Sequence, residues 1–363
     1  MDDAKSQNDR QRSNGDSPLL QVEEFALHFR TRHGDLRAVD GVSFDVRKGR
    51  TLGIVGESGS GKTVLSRSIM GLLTGKNVIR RGKVTFDGRD ISNLSRKDGR
   101  ALRGTEIAMV FQDPMTSLNP VMKIGRQLTE GMAAHLDLSK DERYSVALEL
   151  MRGVGIPSPK HRLEQYPFEL SGGMRQRVTI AIAIACNPKL LLADEPTTAL
   201  DVTIQAQILN LLEAKKRERN MAMILVTHDL GVVAGRTDEI MVMYAGKVVE
   251  RAPTAELFSR MRMPYTEALL NSIPKLDEPS HTPLITIGGR PPAMTAPPKG
   301  CRFSTRCRYV QQKCIDQEPP LSTDSSVSAD HVYACWFPVG ITPRPKANAS
   351  STEAARTMSG SLS

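Results

Sequence analysis

Apolar and polar residues alternate along "LLQVEEFALHF" (19–29) and "RAVDGVSFDVRKG" (37–49), a period-two pattern that predicts antiparallel strands with one buried face. "TLGIVG" (51–56) is a continuous apolar run, which reads as a fully buried strand. "KVTFDGRDI" (83–91) is a further strand candidate, with an Asp-Gly turn at Asp87 and Gly88. Through about 120–165 the apolar spacing becomes helical, as in "DERYSVALELMRGVGI", and another helix begins near Ser171. "KLLLADEP" (189–196) and "AMILVTHD" (222–229) are compact strands separated by the helix-like "IQAQILNLLEAKKRERN" (204–220). Strands alternating with helices predict an α/β core around a parallel sheet, joined to an antiparallel β subdomain and a helical subdomain over about 115–185.

Both ends have a different texture. Residues 1–18 are rich in Asp, Ser and Asn, and the stretch from 341 is rich in Ser, Ala and Thr; disorder is expected for both. Past about 262 the chain turns proline-rich and irregular, as in "RPPAMTAPPKG", and four of its five cysteines fall within 301–335. The longest apolar run, "IAIAIAC" at 180–186, has seven residues, far short of the roughly 18 needed to span a bilayer. The N-terminus has no apolar core of a signal peptide, so a cytosolic chain is expected, whose cysteines are thiols or metal ligands rather than disulfides. A formal charge of +9 suits anionic partners such as nucleotides, nucleic acid or an acidic membrane surface, and does not choose among them.

The chemistry concentrates in "GESGSGKT", residues 56–63. Gly56-x-x-x-x-Gly61-Lys62-Thr63 between a strand and a helix is the phosphate-binding P-loop pattern. Its glycines let the backbone N–H groups of Gly56, Glu57, Ser58, Gly59, Ser60 and Gly61 turn into one concavity at a helix N-terminus. Lys62 is placed to reach the β- and γ-phosphates of ATP and the Thr63 hydroxyl to ligate Mg²⁺. "LLLADEP" ends an apolar strand in two carboxylates whose side chains diverge. Asp194 is thereby expected to face the metal, and Glu195 to face the γ-phosphate and orient or deprotonate the attacking water.

With "LSGGM" at 170–174 the sequence resembles the ABC-type ATPases. Gln112 in "MVFQDP", Asp201 closing "TALD" and His228 in "LVTHD" follow in that family's order, so the resemblance covers roughly 19–262. It implies a head-to-tail dimer in which ATP lies between one subunit's P-loop and the other's Ser171, Gly172 and Gly173. It also implies that Gln112 touches Mg²⁺ or the attacking water, that His228 holds the γ-phosphate against Glu195, and that Asp201 crosses the dimer seam. Met174 departs from the family's usual Gln. The family stacks an aromatic on adenine; Phe29 is the candidate, with His33 a rival.

"MPYTEALLNSIP" (263–274) and "GCRFSTRC" (300–307) resemble the C-terminal extension of dipeptide and oligopeptide importer ATPases, placing such an extension over 263–340. Cys301, Cys307, Cys314 and Cys335 are spaced C-x5-C-x6-C-x20-C, without the close pairs usual in structural zinc sites. The resemblance implies a [4Fe-4S] cluster there, with zinc or unligated thiols as alternatives; Cys186 stands apart and reads as core packing. The importer family further implies two separate transmembrane permease subunits, a second ATPase subunit of the same or a related chain, and an extracytoplasmic peptide-binding protein acting indirectly. It places the chain peripherally on the cytoplasmic face of the inner membrane. An importer of another solute, such as nickel, is the alternative. A soluble ABC ATPase working on nucleic acid or ribosomes fits poorly, because only one P-loop and no sustained heptads are present, and no nucleic-acid partner is expected.

Overall fold

The computed structural model describes residues 17–197, 201–273, 287–323 and 328–340. The expected disordered ends, apart from Ser17 and Pro18, fall outside those residues, as do Thr198–Leu200 of the "TALD" segment. The alternating N-terminal segments form β1 (Leu20–Thr31) and β2 (Gly34–Val46), antiparallel from Leu20↔Val46 to Thr31↔Gly34. Strand β4 (Val78–Phe86) pairs on the other side of β1, and β5 (Arg89–Asp90) closes the sheet in the order β2-β1-β4-β5. Asp87 and Gly88 both have positive φ (47° and 76°) between paired Phe86 and Arg89, the two-residue turn that matches strand twist.

The second sheet runs β11 (Ser322–Thr323), β12 (Val332–Tyr333), β10 (Lys247–Pro253), then β9-β3-β8-β7-β6. Its centre is parallel: β9 (Glu239–Tyr244), β3 (Thr51–Val55), β8 (Ala222–Thr227), β7 (Leu190–Asp194) and β6 (Ile107–Val110). Such strands need apolar residues on both faces, since both are covered. On β7, Leu190 and Leu192 join the core beneath the antiparallel sheet, while Leu191 and Ala193 join the core on the helical side. Strand β8 divides in the same way: Ile224 and Val226 face one core, Met223 and Leu225 the other.

Helix α1 (Lys62–Ile69) leaves the end of β3. The helical region contains α2 (Ile124–His135), α3 (Lys140–Gly153) and α4 (Gly172–Ala183), and α5 (Val202–Arg219) links β7 to β8. Three of these helix starts carry a side-chain cap. Ser139 and Glu142 form a capping box on α3; Ser171 and Asp201 accept the third-residue N–H groups of α4 and α5. Among the described residues, no helix is long and apolar enough to cross a membrane.

The proline-rich segment is not an appendage. Tyr265 and Leu269 of α6 (Pro264–Asn271) and Phe303 belong to the same apolar cluster as the helical side of the sheet. Strand β12 (Val332–Tyr333) lies between β10 (Lys247–Pro253) and β11 (Ser322–Thr323). Glu250 on β10 is fully buried and accepts the Arg262 N–H, the Met263 N–H at 3.1 Å and His331 Nε2 at 2.8 Å. Removing that carboxylate leaves the buried Met263 and His331 groups and the half-buried Arg262 N–H without an acceptor. Glu250→Ala is expected to cost about 3–5 kcal/mol in urea unfolding; a loss below about 1 kcal/mol would show that the extension is not anchored there.

Candidate nucleotide site

Strand β3 runs out of the sheet into Gly56, whose backbone passes so close to β9 that an added Cβ would lie 2.2 Å from the Met243 carbonyl oxygen. At the other end of the loop, Gly61 has φ 101°, and a Cβ would meet the Ala38 carbonyl oxygen at 2.3 Å. No other residue fits either place. The loop is thus pressed between two strands and turns directly into α1, whose first-turn N–H groups have no earlier helical carbonyls to bind.

Lys62 is nearly fully buried and folds back over the loop: Nζ donates to the carbonyls of Gly56 at 2.6 Å and Glu57 at 2.9 Å, and to Ser60 Oγ at 3.3 Å. Burial lowers its pKa to about 8, against the opposing pull of Glu195, Asp194 and Glu57.

Alternation along β7 sends Leu190, Leu192 and Asp194 towards α1, and Thr63 Oγ1 donates to Asp194 Oδ1 at 3.0 Å. Asp194 is completely buried, and its Oδ2 has no hydrogen-bond partner. Burial outweighs the Thr63 hydrogen bond and the nearby Arg67 charge, so the carboxyl pKa lies above its ordinary value. An acceptor pair with one oxygen on a threonine hydroxyl and the other unpartnered fits a divalent cation beside the P-loop.

Glu195 leaves the strand with φ 47°, a left-handed backbone that swings its side chain away from Asp194. Its Oε2 accepts Gln112 Nε2 at 2.8 Å, and its Oε1 lies 3.3 Å from His228 Nδ1. Three residues from the ends of β6, β7 and β8 therefore meet at the carboxyl end of the parallel sheet, where α/β folds bind ligands. His228 is 59% exposed against 13% for Glu195, so the imidazole faces an open side.

Ser171 and Gly172 are exposed and Gly173 is half-buried at the start of α4. A Cβ on Gly173 would touch Ile204 at 3.1 Å, which brings the signature segment and the start of α5 together, with Asp201 and the 82%-exposed Val202 beside it. Phe29 is half-buried against the antiparallel sheet's core and pairs with Leu36 and Val78; His33 is exposed in the β1–β2 turn.

The four clustered cysteines do converge. Cys301, Cys307, Cys314 and Cys335 line one cavity with Phe303, Tyr309 and Trp336, but its volume is about 20 Å³, room for one water. Among the described residues no group of three or more His, Cys, Asp or Glu is placed to hold a metal ion. Desolvation raises the thiols of Cys301 and Cys307 to about 11 and that of Cys335 to about 12, leaving them neutral. As built, the site fits neither the expected iron–sulfur cluster nor zinc, and the cluster expectation has no support. Cys186 packs against the core, as expected.

Sequence reasoning missed Tyr265, whose hydroxyl accepts the Glu57 N–H at 2.8 Å, and Tyr244, whose ring packs tilted at 57° against that of Tyr265, 4.6 Å between centroids. The signal was the lone tyrosine of "MPYTEALLNSIP", a segment read only for its family resemblance.

Two family models match the chain: ABC transporter over residues 39–198, and the C-terminal region of oligopeptide/dipeptide transporters over 249–314. The oligopeptide transport ATP-binding protein OppD of Bacillus subtilis is 49% identical over 88% of each chain. The dipeptide transport ATP-binding protein DppD of Escherichia coli is 45% identical over 90% of this chain and 99% of its own. A dimeric ATP-binding cassette solved in a post-hydrolysis state with ADP and Pi superposes with a TM-score of 0.59 at 26% identity, over 65% of this chain and 98% of that one. The chain belongs to the ATP-binding subunits of ABC transporters and is an ABC-type ATPase with the P-loop NTPase fold. Within that class it falls in the branch of the oligopeptide and dipeptide transport ATP-binding proteins.

A neutral Lys62 cannot attract phosphate. ATP affinity is therefore expected to fall as pH rises through about 8, and Lys62→Ala to weaken binding and flatten that pH dependence. Titration of a fluorescent ATP analogue between pH 6.5 and 9.5 checks this; a slope unchanged in the variant would remove Lys62 from the phosphate site.

Proposed function

We propose that this chain binds Mg-ATP on Gly56–Thr63 and couples its hydrolysis to uptake of dipeptides or oligopeptides through separate membrane permease subunits. The observation that carries the chemistry is the division of two adjacent carboxylates by the left-handed turn at Glu195. One is left buried beside Thr63, the other beside Gln112 and His228. The peptide reading draws on the OppD and DppD relatives and on the matched C-terminal model.

In this reading α1 and the loop amides other than those of Glu57 and Ser60, which the Tyr265 hydroxyl and the Glu57 carbonyl already hold, receive the phosphates, and Lys62 exchanges the Gly56 and Glu57 carbonyls for β- and γ-phosphate oxygens. Thr63 and Asp194, with Gln112 at the rim, hold Mg²⁺. When bound, the ion neutralises charge on the phosphate oxygens. Glu195 accepts the proton of the attacking water, Gln112 holds the carboxylate in place, and His228 steadies the γ-phosphate from the open side. Phe29 offers its ring to the adenine.

The Ser171–Gly173 start of α4, exposed at Ser171 and Gly172, supplies N–H groups and a helix dipole to the γ-phosphate of a second ATPase subunit, identical or related, with Asp201 at the same seam. Residues 19–262 form the ATPase unit, 115–185 its helical subdomain facing the permeases, and 263–340 the extension. The chain acts peripherally at the cytoplasmic face of the inner membrane, and a peptide-binding protein outside delivers the cargo.

The test has two readouts. Glu195→Gln should bind ATP and run as a dimer in gel filtration with Mg-ATP, while turnover falls at least 100-fold. Cells carrying Lys62→Ala should lose uptake of labelled di- and tetrapeptides. Peptide uptake that persists beside a loss of nickel uptake would overturn the substrate; undiminished turnover in the Glu195→Gln variant would overturn the catalytic assignment.

A further inference from the structure

The P-loop carries a negative side chain, Glu57, in a cradle meant for triphosphate, and its partner comes from the C-terminal extension. Arg306 meets the Glu57 carboxylate as a two-pronged fork, Nη1 to Oε2 at 2.6 Å and Nη2 to Oε1 at 2.9 Å. The arginine's remaining donors are all used: Nε on the Gly288 carbonyl at 2.9 Å, Nη1 on the Tyr244 hydroxyl at 3.2 Å, and Nη2 on the Ile287 carbonyl at 3.0 Å. Its side chain is only 3% exposed, against 27% for Glu57. A guanidinium held on every donor, with its ring partner Tyr244 packed on Tyr265 and Phe303, is fixed before any ligand arrives.

We propose that Arg306 is a positioning residue of the nucleotide site: it neutralises Glu57 and pins the first peptide of the P-loop, so that the loop meets triphosphate preformed and without an uncompensated negative charge. The Glu57 backbone is held from both sides, its N–H by the Tyr265 hydroxyl at 2.8 Å and its carbonyl by Lys62 at 2.9 Å. The fork fixes the side chain between them. When Lys62 turns to a phosphate, Glu57 loses that contact, and Arg306 with Tyr265 is left to hold the loop. Without Arg306 the P-loop carries an uncompensated carboxylate, which repels ATP as well as loosening the loop.

This inference rests on Gly56–Thr63 being the nucleotide site, so the experiment separates the two. Mg-ATP affinity of the full chain is measured by titration with a fluorescent ATP analogue for wild type, Lys62→Ala, Arg306→Ala, Glu57→Gln and the Glu57→Gln/Arg306→Ala double variant. Failure of wild type to bind, or equal binding by Lys62→Ala, sinks the nucleotide site itself. With that site established, Arg306→Ala is expected to raise Kd about tenfold, and Glu57→Gln by threefold or less. The double variant should recover at least threefold over Arg306→Ala, because the repelling charge is gone; a merely structural arginine gives no such rescue. A Kd for Arg306→Ala within twofold of wild type, or a double variant no better than Arg306→Ala, overturns the proposal. If Arg306→Ala does not accumulate as folded protein, Arg306→Lys decides: it keeps the charge but lacks the fork, and must weaken binding about threefold. Binding by that lysine variant equal to wild type overturns the proposal equally.

Discussion

The nucleotide site depends on a steric constraint: two backbone carbonyls, those of Met243 and Ala38, press against the P-loop where a side chain would otherwise stand. Because Gly56 and Gly61 give way, the loop lies flat between the parallel sheet and the antiparallel one and enters α1 without slack. Its amides therefore have a fixed direction before ligand arrives, and the entropic cost of ordering them has already been met by the fold. The buried position of Lys62 follows from the same closeness, since its ammonium finds its acceptors in the loop's own carbonyls and the Ser60 hydroxyl.

The second half of the site comes from the sheet. A parallel strand covered on both faces alternates its side chains between two cores, and β7 keeps that alternation to its last residue. Asp194 takes the place of an apolar residue on the α1 side, so a carboxylate is carried into a dry position that an uncharged strand would have filled with Leu. The next residue breaks the strand geometry, and a single backbone inversion converts a pair of neighbouring acids into two different environments. Gln112 and His228 need no special loops to join them; His228 follows directly on β8, and only Phe111 separates Gln112 from the end of β6.

What could be read from the sequence was whatever local chemistry fixes. Period-two runs placed β1 and β2, apolar runs placed β3, β7 and β8, and the glycine spacing placed the loop between strand and helix. Ser171 was legible as the start of α4 because a serine before Gly-Gly is also a helix cap. Nothing local marks Arg306 as a partner of Glu57, 249 positions earlier, or Tyr265 as the acceptor of that residue's N–H. The cysteines were legible as a group rather than as a site: four thiols in spaced order converge in the fold, around a void for a single water. The backbone of Phe29 is fixed by strand pairing on both sides, a placement that the period-two pattern already carried.

A change of composition near residue 262 invites the thought that the chain could be cut there. The hydrogen bonds argue otherwise. Truncation would strip the innermost acid of β10 of its Met263 and His331 contacts, remove the tyrosine and phenylalanine that floor the glycine loop, and leave that loop's glutamate bare. A minimal version of this motor is thus not obtained with scissors: what looks like a tail on the page is part of the engine's mounting.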